Sequence, residues 1–246
     1  MDSEGRSRQR ASHQLPPGRH GLSRSFVEAN QRQRILDAVA DVVSLAGYQA
    51  MSVEDVVGAA GVSRRTFYDT FKSKEDAFLT AYDEIGMRLV LAVKESYEAS
   101  ETFPEGVVNC LRTFLEFVAS VPHYADMCIV EVLAAGPPAL ARRNGVMKAM
   151  AVLLEKGAAT MPNGIIPPAL TAETIVGGIY EVVYSRVLEG RTLELPGLLP
   201  DLAYSMMLPY VGHGKAEEMV VPLRTDEERL AGDQPDEGSV AVPADA

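Results

Sequence analysis

Residues 60–71 have the sequence AGVSRRTFYDTF, and this stretch decides the fold. Gly61 favours a sharp turn after one helix, and Ser63 is a typical N-terminal cap for the next. Just upstream, Ser52 and Asp55 have the spacing of an acidic capping box, which predicts a short helix ending before the glycine. Two short helices joined by a tight turn form the helix-turn-helix arrangement.

The flanking sequence continues the helical pattern. Apolar residues at three- and four-residue steps predict a helix over 27–46, and Ser73 with Asp76 predicts the start of a long helix. No segment of two-residue alternation is long enough to indicate a sheet. We therefore predict an all-α chain, with further helices between the prolines and glycines that interrupt them, at about 104–120, 122–135, 138–160, 170–189 and 197–211.

Pattern and composition divide the chain into four parts. Residues 1–25 are rich in Arg, Ser, Gly and Pro, which is typical of a flexible arm. Residues 26–73 form the expected helix-turn-helix domain, and residues 74–212 a larger helical domain. Residues 213–246 contain nine acidic and three basic residues without a sustained period, so we expect a disordered acidic tail.

The charge is divided unevenly along the chain. The 246 residues carry a net charge of −11, which on a uniform surface would argue against binding to nucleic acid. Residues 1–76, however, contain 11 basic and 10 acidic residues, so the net acidity lies in the rest of the chain. The part of the chain that contains the helix-turn-helix is therefore close to neutral.

Composition also limits the location of the protein and the sites it can hold. Two cysteines, Cys110 and Cys128, are too few for a disulfide framework or a four-ligand zinc site. No run approaches 18 apolar residues, and the N-terminal arm lacks the apolar region of a signal peptide. We expect a cytoplasmic protein without a membrane span, and we predict no cofactor and no metal.

The helix after the turn has two different faces. Val62, Phe67 and Phe71 are expected to face the small core, whereas an outward face is formed by Arg64, Arg65, Thr66, Tyr68 and Thr70. Arginine can make paired hydrogen bonds to guanine, and hydroxyl groups can reach bases or phosphates. Lys72 and Lys74 follow and would neutralise phosphate charge. This pattern favours a recognition helix in a DNA major groove over the alternative, a solvated basic face.

Residues 31–82 resemble the DNA-binding domain of the TetR family of transcriptional regulators. The resemblance is carried by Ile35-Leu36-Asp37-Ala38, Gly47-Tyr48, Ser52 to Val57, Ala60 to Ser63, Thr66-Phe67-Tyr68, Phe71 and Lys72 to Glu75. It implies a homodimeric repressor whose two copies read a pseudo-palindromic DNA operator. It also implies a C-terminal domain that binds a small-molecule effector and thereby controls the spacing between the two recognition helices.

The resemblance also implies roles for individual residues. The positions at which the family contacts bases and phosphates correspond to Ser63, Arg64, Arg65 and Thr66. Its phosphate-binding tyrosine corresponds to Tyr68, and the lysine that opens its fourth helix corresponds to Lys74. Ser52 stands where the family often has a small hydroxyl residue that can touch the DNA backbone. Asp69 and Thr70 depart from the pattern, since a basic or polar residue and a histidine are common there. Asp69 facing DNA would be repulsive, so it either turns away or pairs with an arginine.

The N-terminal arm offers a further DNA contact. Arginines on a flexible arm can enter a narrow minor groove, and Arg19 and Arg24 are the candidates. The alternative is a terminus that binds nothing.

The larger domain carries the candidates for effector binding. Met and aromatic side chains can line an adaptable apolar pocket, although they more often form ordinary core. Polar groups in apolar helices need a partner when they are buried. The candidates of this kind are Arg112, His123, Glu131 and Arg186. The predicted ligand-binding residues are Met87, Arg112, Phe114, Phe117, His123, Tyr124, Met127, Glu131, Met147, Met150, Tyr180 and Tyr184. Their character favours a small, rather apolar effector.

Apolar stripes on the last two predicted helices are the candidates for dimerisation. The stripes could pack inward only, or they could build a four-helix bundle between two copies, as the family does. The predicted interface residues are Ile175, Ile179, Val183, Leu199, Leu202 and Met206. Under this hypothesis a Val183→Glu variant is expected to be monomeric.

Two other classes of function compete with a DNA-binding regulator. An enzyme has little support because the body contains one histidine, His123, and the chain has no Gly-rich phosphate loop and no HExxH motif. A helical adaptor that binds a protein partner without DNA remains the alternative, but a basic helix with Thr and Tyr is unexpected there. The sequence leaves the effector, the operator, repression against activation, and the role of the tail undefined.

Overall fold

The computed structural model describes residues 23–161 and 165–232, with side chains as far as Arg224. The chain forms two compact units that meet in sequence at Glu84 and Ile85, rather than at the predicted boundary at 73. Across the described residues all regular secondary structure is helical, which confirms the all-α prediction. Residues 1–22, which hold most of the predicted arm, and residues 233–246 lie outside the described part.

The first unit is built from α1 (Arg24–Ala46), α2 (Val53–Ala60), α3 (Arg64–Thr70) and the beginning of α4 (Lys74–Glu98). Gly47 ends α1 with a φ of 81°, as predicted. The four helices bury a common apolar core because each presents its apolar residues on one side. That core comprises Ile35, Leu36, Val39, Val43, Tyr48, Met51, Val56, Phe67, Phe71, Phe78 and Tyr82.

The corner between α2 and α3 is the feature that places α3. Gly61 adopts left-handed backbone angles of φ 61° and ψ 39°, which cost glycine little. Its N–H donates to the Gly58 carbonyl at 3.3 Å, and the Val62 N–H donates to the Val57 carbonyl at 3.1 Å. These two bonds form a Schellman motif, which ends α2 and turns the chain sharply into α3.

The second unit contains the rest of α4 and five further α-helices. They are α5 (Phe103–Ser120), α6 (Pro122–Ala125), α7 (Pro137–Ala158), α8 (Thr171–Leu188) and α9 (Leu199–Gly232), with short 3₁₀ segments at Glu131–Leu133 and Thr192–Leu198. The largest fully buried side chains of this unit are Leu115, Met127, Leu195, Met207 and Tyr210. Their burial holds these helices around one apolar core.

Two predictions about these helices were wrong. The single helix expected over 122–135 is instead α6, a π-helical segment at Asp126–Val130 and a 3₁₀ turn, because the backbone hydrogen-bond spacing changes twice within it. The disordered tail expected from residue 213 is helical to Gly232, since α9 continues past a bend at Gly212. Ala216 and Val220 are buried there, and that burial stabilises the helix.

Membrane spanning and metal binding were tested on the described residues. None of their helices alone is both long and apolar enough to cross a bilayer, and the segments Pro122–Leu133 and Pro137–Ala158 pass that test only as a pair bent by 110°. The same residues contain no cluster of three or more His, Cys, Asp or Glu side chains suited to a metal ion.

Candidate nucleic-acid interface

α3 presents one buried and one exposed face. Phe67 and Phe71 are 0% and 3% exposed and anchor the helix in the core of the first unit, whereas Val62 is half-buried. Arg64, Arg65, Tyr68 and other members of the predicted outward set are exposed, with Thr66 half-buried. The aromatic anchors therefore fix which side of α3 faces solvent.

Hydroxyl groups fix both ends of the recognition segment. Ser63 Oγ accepts a hydrogen bond from the Thr66 N–H at 3.0 Å and lies 2.8 Å from Thr66 Oγ1. Thr70 Oγ1 donates to the Thr66 carbonyl at 3.0 Å. These three predicted DNA contacts are thus also local supports of a seven-residue helix that has few backbone bonds of its own.

Ser52 has a comparable double role at the start of α2. Its Oγ accepts from the Asp55 N–H at 3.2 Å and donates to Asp55 Oδ2 at 2.6 Å, so the predicted capping box is present. These hydrogen bonds, from the hydroxyl and the backbone N–H of Ser52, lower the pKa of Asp55 below its ordinary value. The carboxylate therefore stays ionised at the positive end of α2.

The two recognition arginines each contact a carboxylate. Arg64 pairs with Glu54 on α2, and its Cζ lies 5.7 Å from the Tyr68 ring centroid. Arg65 Nε lies 3.8 Å from Asp69 Oδ2, one turn along the same helix. Of the two alternatives left open for Asp69, pairing with an arginine is therefore the one found.

The two lysines near the recognition helix differ. Lys72 is exposed, and its backbone N–H donates to Asp76 Oδ2 at 2.9 Å. Lys74 Nζ instead donates to backbone carbonyls in the segment between α1 and α2 and lies 4.9 Å from the Tyr48 ring centroid. The structure thus places Lys72 at the surface and Lys74 in a structural contact.

One contact of the helix-turn-helix was missed from the sequence. Arg34 on α1 donates from Nη2 to the Ala60 carbonyl and, at 2.9 Å, to the Gly61 carbonyl. The last carbonyls of α2 lack partners within the helix, and this arginine satisfies them. The signal is weak in sequence because the contact joins residues 26 positions apart.

The two arginines predicted to contact DNA from the N-terminal arm, Arg19 and Arg24, have different outcomes. Arg19 lies outside the described residues. Arg24 belongs to the first turn of α1, which Ser23 caps, and not to an arm, so the predicted arm boundary at 25 is too late. Arg24 Nε pairs with Glu28 Oε1 at 2.8 Å and the side chain is 92% exposed.

Residues 35–81 match the family model described as bacterial regulatory proteins, tetR family. This N-terminal segment is therefore similar to the DNA-binding part of TetR-family regulators. This finding confirms the resemblance, and because the match is to a family of regulatory proteins, it supports a regulator over an enzyme.

Curated relatives are similar to the chain over part of its length. One is the HTH-type transcriptional regulator AlkX of Mycobacterium tuberculosis, 32% identical over 101 residues, which are 39% of this chain and 48% of AlkX. Another is the uncharacterized HTH-type transcriptional regulator YezE of Bacillus subtilis, 31% identical over 85 residues, which are 32% of this chain and 44% of YezE. The chain spans a little under half the length of these relatives.

Solved structures share the fold over more of the chain. The fatty acid degradation regulator FadR of Bacillus halodurans superposes with a TM-score of 0.63 at 20% identity, covering 72% of this chain and 94% of that one. FadR of Bacillus subtilis, in complex with stearoyl-CoA, gives 0.61 at 20% identity, covering 73% and 98%. At this identity the likeness shows the fold alone.

The predicted ligand-binding residues occupy different environments in the second unit. Met127 is fully buried, and Met87 and His123 are exposed. The half-buried ones are Arg112, Phe114, Phe117, Tyr124, Glu131, Met147, Met150, Tyr180 and Tyr184. The structure brings Tyr180 and Tyr184 together as stacked rings 6.4 Å apart, and it places Arg88 Cζ 5.9 Å from the Phe117 ring centroid.

The predicted dimer residues are divided between core and surface. Val183 is 0% exposed, and Leu199 and Met206 are 5% exposed, so these three pack within the protomer itself. Ile175, Ile179 and Leu202 are half-buried. A Val183→Glu variant would bury a charge in the protomer core, and loss of a dimer could not be separated from unfolding.

Proposed function

We propose that the chain is a ligand-responsive transcriptional repressor that binds a pseudo-palindromic operator as a homodimer and is released by a small, rather apolar molecule. The observation that carries the proposal is the exposed pair Arg64 and Arg65 on a helix anchored through Phe67 and Phe71. A helix fixed on one side and basic on the other suits insertion into a major groove.

The proposed contacts divide into two kinds. Arg64 and Arg65 read bases, because their planar guanidinium groups match guanine edges. Tyr68 and Lys72 hold phosphates and set the register, with the hydroxyl groups of Ser63 and Thr66 near the backbone. The hydroxyls of Ser52 and Thr70 already donate to Asp55 Oδ2 and to the Thr66 carbonyl, so these two residues act by supporting the helices. Lys74 is withdrawn from this set, since its amino group donates to protein carbonyls.

The DNA part of the proposal is tested by binding to a labelled fragment from upstream of the protein's own gene at several salt concentrations. The wild type is expected to bind tightly and salt-sensitively, and an Arg64→Ala, Arg65→Ala double variant to lose its sequence preference. The matched control is Lys94→Ala, Lys148→Ala, which removes the same charge from the second unit.

If the upstream fragment fails, a genome-wide fragment selection follows, because the operator can lie elsewhere. Failure in both assays contradicts the repressor and favours the adaptor.

The homodimer requires a face that the protomer leaves exposed. On α9, Ser205 and Leu208 are exposed beside the half-buried Leu202. On α8 the exposed Gly178 has, apart from the adjacent backbone of its own helix, no described heavy atom within 4 Å of the position where a Cβ would stand. A small residue with open space above it permits close approach of a partner helix. We therefore assign the dimer face to the outer sides of α8 and α9.

The dimer is tested by sedimentation velocity. Leu208→Glu is expected to shift the protein to monomer while the protomer stays folded, as its helical circular dichroism would show, because Leu208 is already 37% exposed. The control is Leu193→Glu, which changes a 75% exposed leucine outside α8 and α9 and is expected to remain dimeric. A dimeric Leu208→Glu protein contradicts this placement.

The effector part of the proposal rests on the second unit. Its apolar core is bordered by half-buried aromatic side chains, among them Phe114, Tyr180 and Tyr184, which suit an apolar ligand. A fold neighbour, FadR of Bacillus subtilis, was solved with stearoyl-CoA. The test is release of the operator fragment by added apolar compounds, and a complex that none of them weakens contradicts a ligand-responsive repressor.

A further inference from the structure

Arg143 on α7 is a partly buried cation that contacts an aromatic ring. Its Cζ lies 3.9 Å from the ring centroid of Tyr180 on α8, so the guanidinium is stacked on the ring. Nη1 donates to Asn144 Oδ1 at 2.9 Å, whereas Nε is shielded from solvent and has no hydrogen-bond partner among the described residues. Among the side chains that the structure describes, none of the carboxylates pairs with Arg143.

This arrangement is unfavourable in the absence of a ligand. A partly buried charge costs free energy unless it is paired, and a buried N–H without an acceptor adds to that cost. The stacking on Tyr180 offsets only part of it. A negatively charged group bound beside the guanidinium would compensate its charge.

The Tyr180 ring under Arg143 is fixed in place. The Tyr180 hydroxyl donates to the Ile129 carbonyl at 2.6 Å, within the π-helical segment Asp126–Val130. Burial raises the pKa of Tyr180 even though the nearby Arg143 opposes that shift, so the hydroxyl keeps its proton for this bond. The neighbouring Tyr184 ring stacks on Tyr180 with an interplanar angle of 20°. π-helical segments often mark functional sites.

Apolar side chains adjoin the Tyr180 ring. Tyr180 packs against the core of the second unit, as do the partly buried side chains of Val130, Val176 and Ile179. A ligand held by its charged end at Arg143 can therefore place an apolar body against these residues. Such a ligand needs both a charged group and an apolar part.

We infer that Arg143, stacked on Tyr180, binds the anionic group of the effector, which is an amphiphile with a carboxylate or phosphate on an apolar body. The inference rests on the proposed ligand-responsive function and narrows its effector class. Arg143 is the specificity-determining residue, because it separates an acid from a neutral molecule of the same shape.

The test compares decanoate, decyl phosphate, decanol and inorganic phosphate by isothermal titration with the full-length protein. Decanoate or decyl phosphate is expected to bind at least tenfold more tightly than decanol, since a hydrogen bond to a charged group is lost in the alcohol. The better of the two anions identifies the head group. Inorganic phosphate alone is expected to bind weakly, because it lacks the apolar body.

Variants assign the effect to Arg143. Arg143→Gln is expected to weaken the preferred anion at least tenfold and to leave decanol unchanged, and Arg143→Lys to retain part of the anion preference. Arg142→Gln is the matched control on the same helix, where Nη1 donates to the Pro138 carbonyl at 3.3 Å. The thermal midpoint of each unliganded variant shows whether it is folded.

Each contrary result identifies what fails. Three results overturn the inference. Decanol and both anions bind with equal affinity, or no probe binds at all, or the Arg143→Gln protein binds the anion as tightly as the wild type does. If the anion binds through Arg143 but does not release the operator, the site stands and the proposed function fails. If decanol releases the operator as well as the anions do, the proposed function stands and the inference fails.

Discussion

The Nζ atom of Lys74 lies 2.9 Å from the carbonyl oxygen of Met51, so the first residue of α4 holds the turn that precedes α2. The carbonyls of Tyr48 and Gln49 accept from the same Nζ at 3.2 and 3.3 Å. An ammonium group has three donors, and three carbonyls occupy them. Lys74 therefore has no donor left for a DNA phosphate.

Replacing Lys74 by Met is expected to destabilise the protein by about 2 kcal/mol, because it leaves carbonyls of this turn without a charged donor. Urea unfolding measures the loss. Lys72→Ala is the matched comparison: it is expected to leave the stability unchanged and to lower the salt slope of DNA binding by about one. A stable Lys74→Met protein with a reduced salt slope would instead make Lys74 a phosphate contact.

Glu54 beside Arg64 is expected to limit binding to DNA of unrelated sequence. Removing the carboxylate in Glu54→Gln lessens repulsion of phosphates and frees the arginine from its partner, so affinity for a random fragment is expected to rise several-fold. The measurement is a salt titration on operator and random DNA, with Glu95→Gln in the second unit as the control. Equal affinities of Glu54→Gln and wild type for the random fragment would contradict this role.

Local signals explain which parts of the first unit could be predicted from the sequence. Ser52 with Asp55, Gly61 and Ser63 act on neighbours three or four residues away, and they gave the helix-turn-helix with its boundaries. Arg34 and Lys74 act on carbonyls more than 20 residues away, and no local pattern reports which atoms a long side chain reaches.

The second unit shows the same limit more strongly. The apolar period predicted its helices but not which side packs inward, so Val183 was placed at a dimer face although it lies in the core. Acidic composition suggested disorder from residue 213, whereas burial of Ala216 and Val220 depends on the rest of the fold. Arg143 stayed unrecognised because its missing partner is a property of the packed structure.

Gly157 on α7 has no room for a side chain. A Cβ built there would overlap the ring of Phe103, so Gly157→Ala is expected to destabilise the protein by roughly 1–3 kcal/mol through overpacking. Gly145 on the same helix has nothing within 4 Å of that position, and Gly145→Ala is expected to stabilise by about 0.5–1 kcal/mol. Urea unfolding of both variants gives the comparison, and equal effects would contradict the close packing.

The Cys110 thiol is expected to react slowly in the folded protein. Burial raises its pKa to about 11, and its Sγ lies 3.5 Å from the Val93 carbonyl. Since only the thiolate reacts, a higher pKa means less thiolate at pH 8, roughly a hundredfold less than in the unfolded chain. A thiol-specific chromophoric reagent on a Cys128→Ser background measures both rates, and similar rates for folded and urea-unfolded protein would show that Cys110 is not protected.

Val220 lies in the segment whose sequence predicted a disordered tail, and it is 1% exposed, whereas the adjacent Val221 is 52% exposed. If α9 packs on the second unit beyond Gly212, Val220→Ala removes two buried carbon atoms and is expected to cost about 2 kcal/mol. Val221→Ala makes the same chemical change at the surface and is expected to change the free energy of unfolding by less than about 0.5 kcal/mol. Urea denaturation separates the two cases, because a disordered segment would make both substitutions neutral, and only a docked helix makes neighbouring valines differ.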